Sequence, residues 1–229
     1  MKTIKFVCSD PRQKKFALSV RKNVNAYFRS NGISIKGNLR LAIQTTVMLL
    51  LYLSPFVLLI VIPMIAWVGM LMVVLMRVGM AGVGMCVMHD AVHGSYSNRD
   101  WINKMFGATI FLLGSNVFNW KIQHNFLHHS YTNIEGYDQD IDSEGPIRLS
   151  QYAPLKKIHR YQYIHAFFFY GLLTISKLIN DFVQLRKFEQ AGITRQYHIN
   201  PVSEYTRMVI LKLIYLFVFI GLPVMVTPF

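Results

Sequence analysis

Five of the eight histidines in this 229-residue chain fall in two short clusters, HDAVH at residues 89 to 93 and HNFLHH at residues 124 to 129. His89 and His93 are four positions apart, so on an α-helix they differ by roughly 40° about the axis and project one turn apart on the same side. His124 and His128 repeat that spacing, and His129 adds a donor beside them. Neutral imidazoles gathered in this way suit zinc, copper, iron or nickel. Asp90 stands where a zinc peptidase of the H-E-x-x-H kind needs its glutamate, and Asn125 holds the matching place in the second cluster, so neither cluster supplies that general base. A structural zinc site uses four ligands and leaves none spare. Five imidazoles bordering apolar segments point instead to more than one metal ion. The scattered His159, His165 and His198 read as hydrogen-bonded interfacial side chains, and Trp120 and Phe126 as packing at a membrane interface.

The elements that must carry these clusters are apolar. Hydrophobic residues make up 53% of the chain and charged ones 15%, against about a quarter charged in an average soluble protein. Residues 43 to 63 carry no charge and residues 66 to 88 carry only Arg77, each run long enough to cross a bilayer as a helix. Pro63 and Ile65 mark a tight hairpin between them. Gly79, Gly82 and Cys86 leave one face of the second run nearly bare, either for close approach by another helix or simply because glycine is common in transmembrane helices. Arg77, at a cost on the order of 3 kcal/mol near mid-membrane, must face the bundle interior, snorkel or mark a tuned site.

The net charge of +13 is unevenly placed: ten of the 24 Lys and Arg precede the first apolar run, against the single acid Asp10. That is the positive-inside pattern, with anionic lipid head groups as the partner. No basic stripe interleaved with aromatics accompanies it, which argues against nucleic acid. Residues 1 to 42 are therefore read as a cytoplasmic amphipathic tail without a cleavable signal, in which residues 12 to 29 form a surface helix with Phe16, Val20, Val24 and Tyr27 on its apolar side. Met1 to Cys8 is a short strand or unstructured. Cys8 and Cys86 imply no disulfide framework.

Residues 105 to 118 are apolar but too short to cross, and are expected to form an interfacial or re-entrant helix joining the two clusters. Residues 121 to 160 are polar and expected in water, with five acids between 134 and 145 in a loop. Two further segments, 163 to 179 and 209 to 226, are candidate spans. The first is interrupted by Lys177, and positive-inside placement is easier if it lies in the interface. The fold expected is an all-α integral membrane bundle of three to four spans with interfacial helices and a cytoplasmic histidine-bearing cap.

HDAVHG followed by WKIQHNFLHHSYTNIEGYDQDID resembles the first two histidine boxes of the membrane fatty acid desaturases, particularly bacterial relatives of the front-end acyl-CoA or linoleoyl-CoA type, and the preceding hairpin is similar too. The resemblance implies that His89, His93, His124, His128 and His129 are metal ligands to two irons at the cytoplasmic face. It also implies O2-dependent removal of one hydrogen from each of two neighbouring acyl carbons. Asp90, Asn125, Asp138 and Asp140 are candidates to orient ligating imidazoles, with loop carboxylates in water as the alternative for Asp138 and Asp140. The family carries a third histidine box after the last span, and 229 residues do not reach an H-x-x-H-H segment. The resemblance is thus to an amino-terminal portion of such a protein, with residues 43 to 229 forming its membrane domain and an incomplete iron ligand set. No HPGG heme-binding segment is present, so electrons are expected from a separate carrier. A histidine-box hydroxylase or ketolase, or a non-catalytic membrane protein, remains an alternative at this point.

Overall fold

The computed structural model describes residues 10–141 and 145–226. The strand considered for Met1 to Cys8 lies outside them, as do Asp142 and Glu144 of the acidic loop. Helix α1, Pro11–Ser30, starts where Asp10 accepts the Arg12 amide at 2.8 Å and Pro11 takes the first helical position, which has no need of an amide proton. No residue of α1 is buried, and Phe16, Val20, Val24 and Tyr27 are all exposed.

Helix α2, Leu39–Val61, and helix α3, Ala66–Val92, form the expected hairpin. Both are long and apolar enough to cross a membrane. Their contact is close because two glycines of α3 face α2. A Cβ added at Gly79 would lie 2.3 Å from the Tyr52 amide nitrogen, and one at Gly82 would lie 2.1 Å from Met48 Sδ. Tyr52, fully buried, donates its hydroxyl to the Leu112 carbonyl at 2.6 Å and so ties the hairpin to the segment that follows the first histidine cluster. Arg77 is exposed and borders an apolar groove beside Tyr52, Phe56 and Tyr215, and its guanidinium lies 3.7 Å from Met80 Sδ.

The apolar stretch between the clusters is not one interfacial helix. It divides into α4, Asp100–Gly107, a tighter 3-10 stretch over Ala108–Leu113, and a corner at Gly114 in the left-handed region (φ 74°). Asn116 then caps helix α5, which begins at Val117–Trp120, widens into π-helical turns over Lys121–His128 and ends at His129–Tyr131. The expectation that everything from residue 121 is solvated needs correction. Ile122 and Leu127 are fully buried and pack with Phe118, Leu185, Phe188 and Met208 in the main hydrophobic cluster. His124 and His128 stay half-buried and His129 exposed while these two are sealed in, which polar composition alone does not show.

The third apolar segment is broken. Lys157–Gly171 and Leu173–Gln190 meet at a 72° bend, so residues 163 to 179 are not one straight span. Helix α6 is taken as Gln162–Gly171 and α7 as Leu173–Gln190. A short helix α8, Ile193–Gln196, leads to α9, Pro201–Val226, which begins eight residues before the apolar run that marked it because Asn200 caps it and Pro201 starts it. Among the described residues, three helices are long and apolar enough to span a membrane, or four if the bent pair counts as one.

Candidate metal centre

The first cluster rides on the last turn of α3. Six π-helical residues, Val83–Met88, precede His89, and such widened turns recur at functional sites because they re-aim the side chains beyond them. The His93 amide still reaches the His89 carbonyl at 3.1 Å, so the two rings stand one α-turn apart, with centroids at 4.5 Å. Gly94, in the left-handed region (φ 69°), stops the helix directly after His93. Its carbonyl accepts Lys36 Nζ at 2.7 Å, and the next residue, Ser95, receives the Gly37 amide at 3.1 Å, which pins this end to the approach to α2.

The second cluster lies in the π-helical part of α5, where the wider turn stacks His124 on His128 (centroids 5.1 Å, planes 16° apart). The two clusters meet: His89 Nε2 is 3.1 Å from His124 Nε2, and His93 packs edge-on to His129 at 4.8 Å between centroids. His89, His93 and His124 each offer a nitrogen within 4.8 Å of the others, and so do His124, His128 and an oxygen of Asp140. His124 belongs to both groups; in the second, Asp140 meets His124 and His128 at their Nδ1 atoms, so that group is also the hydrogen-bond network behind the rings. All five sequence-predicted histidines are therefore brought together. His159 and His165 bond to backbone carbonyls of Gly145 and Ile158 instead.

Three of the four accompanying polar residues touch imidazoles. Asp90 Oδ1 is 3.1 Å from His89 Nδ1, Asp140 Oδ2 is 3.0 Å from His124 Nδ1, and Asp138 Oδ1 is 2.9 Å from His128 Nδ1. In each pair the carboxylate takes Nδ1, which leaves Nε2 free to face the centre. Asn125 differs: its amide donates to the Val92 carbonyl at 3.1 Å, joining the backbones of the two clusters rather than orienting a ring. The alternative of a solvated carboxylate fails for Asp138, which is fully buried and accepts the amides of Asn133 at 2.8 Å and Asp140 at 3.0 Å. Burial raises its pKa, but the His128 and amide hydrogen bonds outweigh that and hold the carboxyl below its ordinary value.

The electrostatics favour neutral rings at His93 and His124. Burial, followed by the neighbouring His89, His129 and His124, pushes His93 down to about 4. Burial also lowers His124, against the opposing pull of Asp140. His93 Nε2 is buried without a hydrogen-bond partner, and a buried orphan of this kind costs free energy until something fills it. Neutral imidazoles, one orphaned lone pair and carboxylates behind the rings are a donor set that fits iron.

Three contributors were missed in the sequence. Trp120, read as interface packing, stacks on His124 at 4.5 Å. Gln123 donates to Asp140 at 2.9 Å and receives Lys177 Nζ at 3.4 Å. Lys212 is buried in α9 beside Asp181. A lysine inside an otherwise apolar span was the signal available for the last of these.

Comparison with known proteins agrees with this geometry. The sequence model of the family described as fatty acid desaturase matches residues 65–229. The chain is 31% identical over 191 residues to the sn-1 linoleoyl-lipid 6-desaturase of Arthrospira platensis, covering 83% of this chain and 50% of that protein. With the protein of the same name from Synechocystis sp. it shares 28% identity over 215 residues, 93% of this chain and 59% of that one. An acyl-lipid (8-3)-desaturase of Physcomitrium patens is 30% identical over 175 residues, covering 76% of this chain and 36% of that protein. No solved structure matches. The chain thus spans about half the length of the first curated relatives it matches. With the family match covering most of its length and both histidine clusters, the chain belongs to the fatty acid desaturase family.

Proposed function

We propose that this protein acts in O2-dependent desaturation of a fatty acyl chain at a di-iron centre held by His89, His93, His124, His128 and His129. The convergence of the two clusters, with His89 and His124 in contact at their Nε2 atoms and His124 shared by two donor groups, carries this reading. When bound, the iron pair supplies the O2-derived oxidising power needed to take hydrogen from two neighbouring unactivated carbons. The chain's own residues do the rest. Asp90, Asp140 and Asp138 fix the tautomer and aim of His89, His124 and His128, and the low pKa of His93 keeps its lone pair available at neutral pH.

The substrate proposed is an acyl chain on a lipid or CoA carrier, lipid being the carrier in the names of the relatives above. A cavity of about 710 Å³ lies against the helix that carries His89 and His93, with Ala91, Val92, Phe111, Val117 and Leu211 on its apolar side and Lys104, Lys121 and Arg207 among its charged lining. The amino terminus and both clusters are assigned to the cytoplasmic side, of an inner membrane if the source is bacterial, on the strength of the ten cations before residue 43. Electrons are assigned to a separate carrier protein.

Iron analysis of the purified chain, with fatty acid profiling of cells that express it alongside an electron donor, tests this proposal. Weakly held iron that falls further in His93→Ala and His128→Ala is expected, with a new double bond in a long-chain acyl group when a segment carrying the family's third histidine box is supplied. Iron retained in those variants, or a hydroxylated product in place of the alkene, contradicts it.

A further inference from the structure

Lys212 lies in the spanning helix α9, where a buried charge calls for a purpose. Its side chain is 9% exposed and that of its partner Asp181 3%. An ammonium has three protons to donate, and Lys212 has three acceptors: Asp181 Oδ2 at 2.9 Å, the Gly114 carbonyl at 3.0 Å and the Lys177 carbonyl at 2.8 Å. Two of the three are backbone groups from different segments. Lys212 therefore ties α7 to the corner at Gly114 as well as pairing a charge.

That corner opens the helix of the second cluster. A Cβ on Gly114 would meet Thr174 at 3.3 Å and Leu178 at 3.5 Å, so α7 is packed directly on it. Asn119 donates to the Asp181 carbonyl at 2.6 Å. Asn116, the cap of α5, donates to the buried Glu204 of α9 at 2.9 Å, and Arg207 holds the same carboxylate. From Asn119 the helix continues without a break to His124 and His128. A second line runs from Lys177 Nζ through Gln123 and Asp140 to His124 Nδ1.

We propose that Lys212 and Asp181 are positioning residues: a buried clamp that sets the height and rotation of α5 and so aims His124 and His128 at His89 and His93. The clamp rests on the metal-binding role assigned to those histidines above. A purely structural pair behaves differently. Replacing both members of a buried ion pair by apolar residues of similar volume is often neutral or stabilising, whereas removing one strands the other. The double variant Asp181→Leu/Lys212→Met therefore separates stability from aim, because it removes the stranded charge and also releases the Gly114 and Lys177 carbonyls.

The test is cobalt(II) titration of the full chain in detergent, read by the visible ligand-field spectrum, with thermal unfolding of each variant in parallel. The parent is expected to bind cobalt with a nitrogen-rich spectrum. The double variant is expected to stay monodisperse and melt near the parent, yet bind cobalt roughly 10–100-fold more weakly with an altered spectrum. Parent-like affinity and spectrum in the double variant would overturn the clamp. If that variant does not fold, Asn119→Ala decides: it cuts one tie to Asp181 without touching the pair, and an unchanged spectrum there overturns the clamp equally. A parent that binds no cobalt overturns the metal site itself, a result distinct from either variant's.

Discussion

His89 Nε2 and His124 Nε2 lie 3.1 Å apart although 35 residues separate them in sequence. With Nδ1 of each ring taken by a carboxylate, both Nε2 atoms turn lone pairs toward the same point, an arrangement that a shared cation relieves. Protonating a neighbour adds repulsion, and His93, wedged between His89, His124 and His129, carries the largest consequence.

The metal-free protein is predicted to lose stability with acid in two windows. The folded pKa of His93 is depressed, to about 4 against 6.5 unfolded. Between those values the unfolded chain binds a proton that the folded one does not, so stability rises with pH across that window and is fully present above it. Asp138 is also depressed, so its contribution is present above the ordinary carboxylate range and fades below it. Thermal unfolding of metal-free protein from pH 7.5 to 4 should show a falling Tm (an assay range of about 3.5 units, set by the His reference value), and His93→Gln should remove the upper part of the fall. A flat profile in the parent would count against the burial of His93.

The α2–α3 hairpin should tolerate no methyl at Gly79. An alanine Cβ there would lie 2.3 Å from a backbone nitrogen, whereas at Gly69, in the same span, the nearest atom is 3.7 Å away on a side chain. Gly79→Ala is predicted to cost about 1–3 kcal/mol through forced separation of the helices, while Gly69→Ala should match the parent. Thermal shift of the two variants side by side checks this, and equal behaviour would sink the close crossing.

Topology is testable with single cysteines at Ser30 and Ser130 in a chain whose Cys8 and Cys86 are serine. Both positions are exposed in the fold, one at the end of α1 and one beside the second cluster. Both should resist a membrane-impermeant thiol reagent in intact cells and react after lysis. Labelling of only one in intact cells would place the tail and the clusters on opposite sides.

The sequence made the histidine constellation legible because imidazole spacing maps directly onto a helical face, and it made the hairpin legible because length and hydropathy suffice for a span. The breaks were harder to see. Nothing local in VGMCVM or KIQHNFLH marks the π-helical turns that precede the first cluster and carry the second. Asp138 and Asp140 sat in a segment of loop composition, and only the tertiary contact with His128 and His124 distinguishes them from solvated acids. Lys212 was visible as a charge in a span, but its partners Gly114 and Asp181 are 98 and 31 residues away.

X-ray absorption at the iron edge, on iron-loaded parent protein and on His124→Ala, tests the shared two-cluster site most directly, since among the described residues His124 alone belongs to both donor groups. The parent should show a nitrogen-dominated first shell with the outer-shell scattering of imidazole, and His124→Ala should lose both iron and that signature together. Iron bound without imidazole scattering, or an unchanged spectrum in His124→Ala, would contradict a metal centre built from these two clusters.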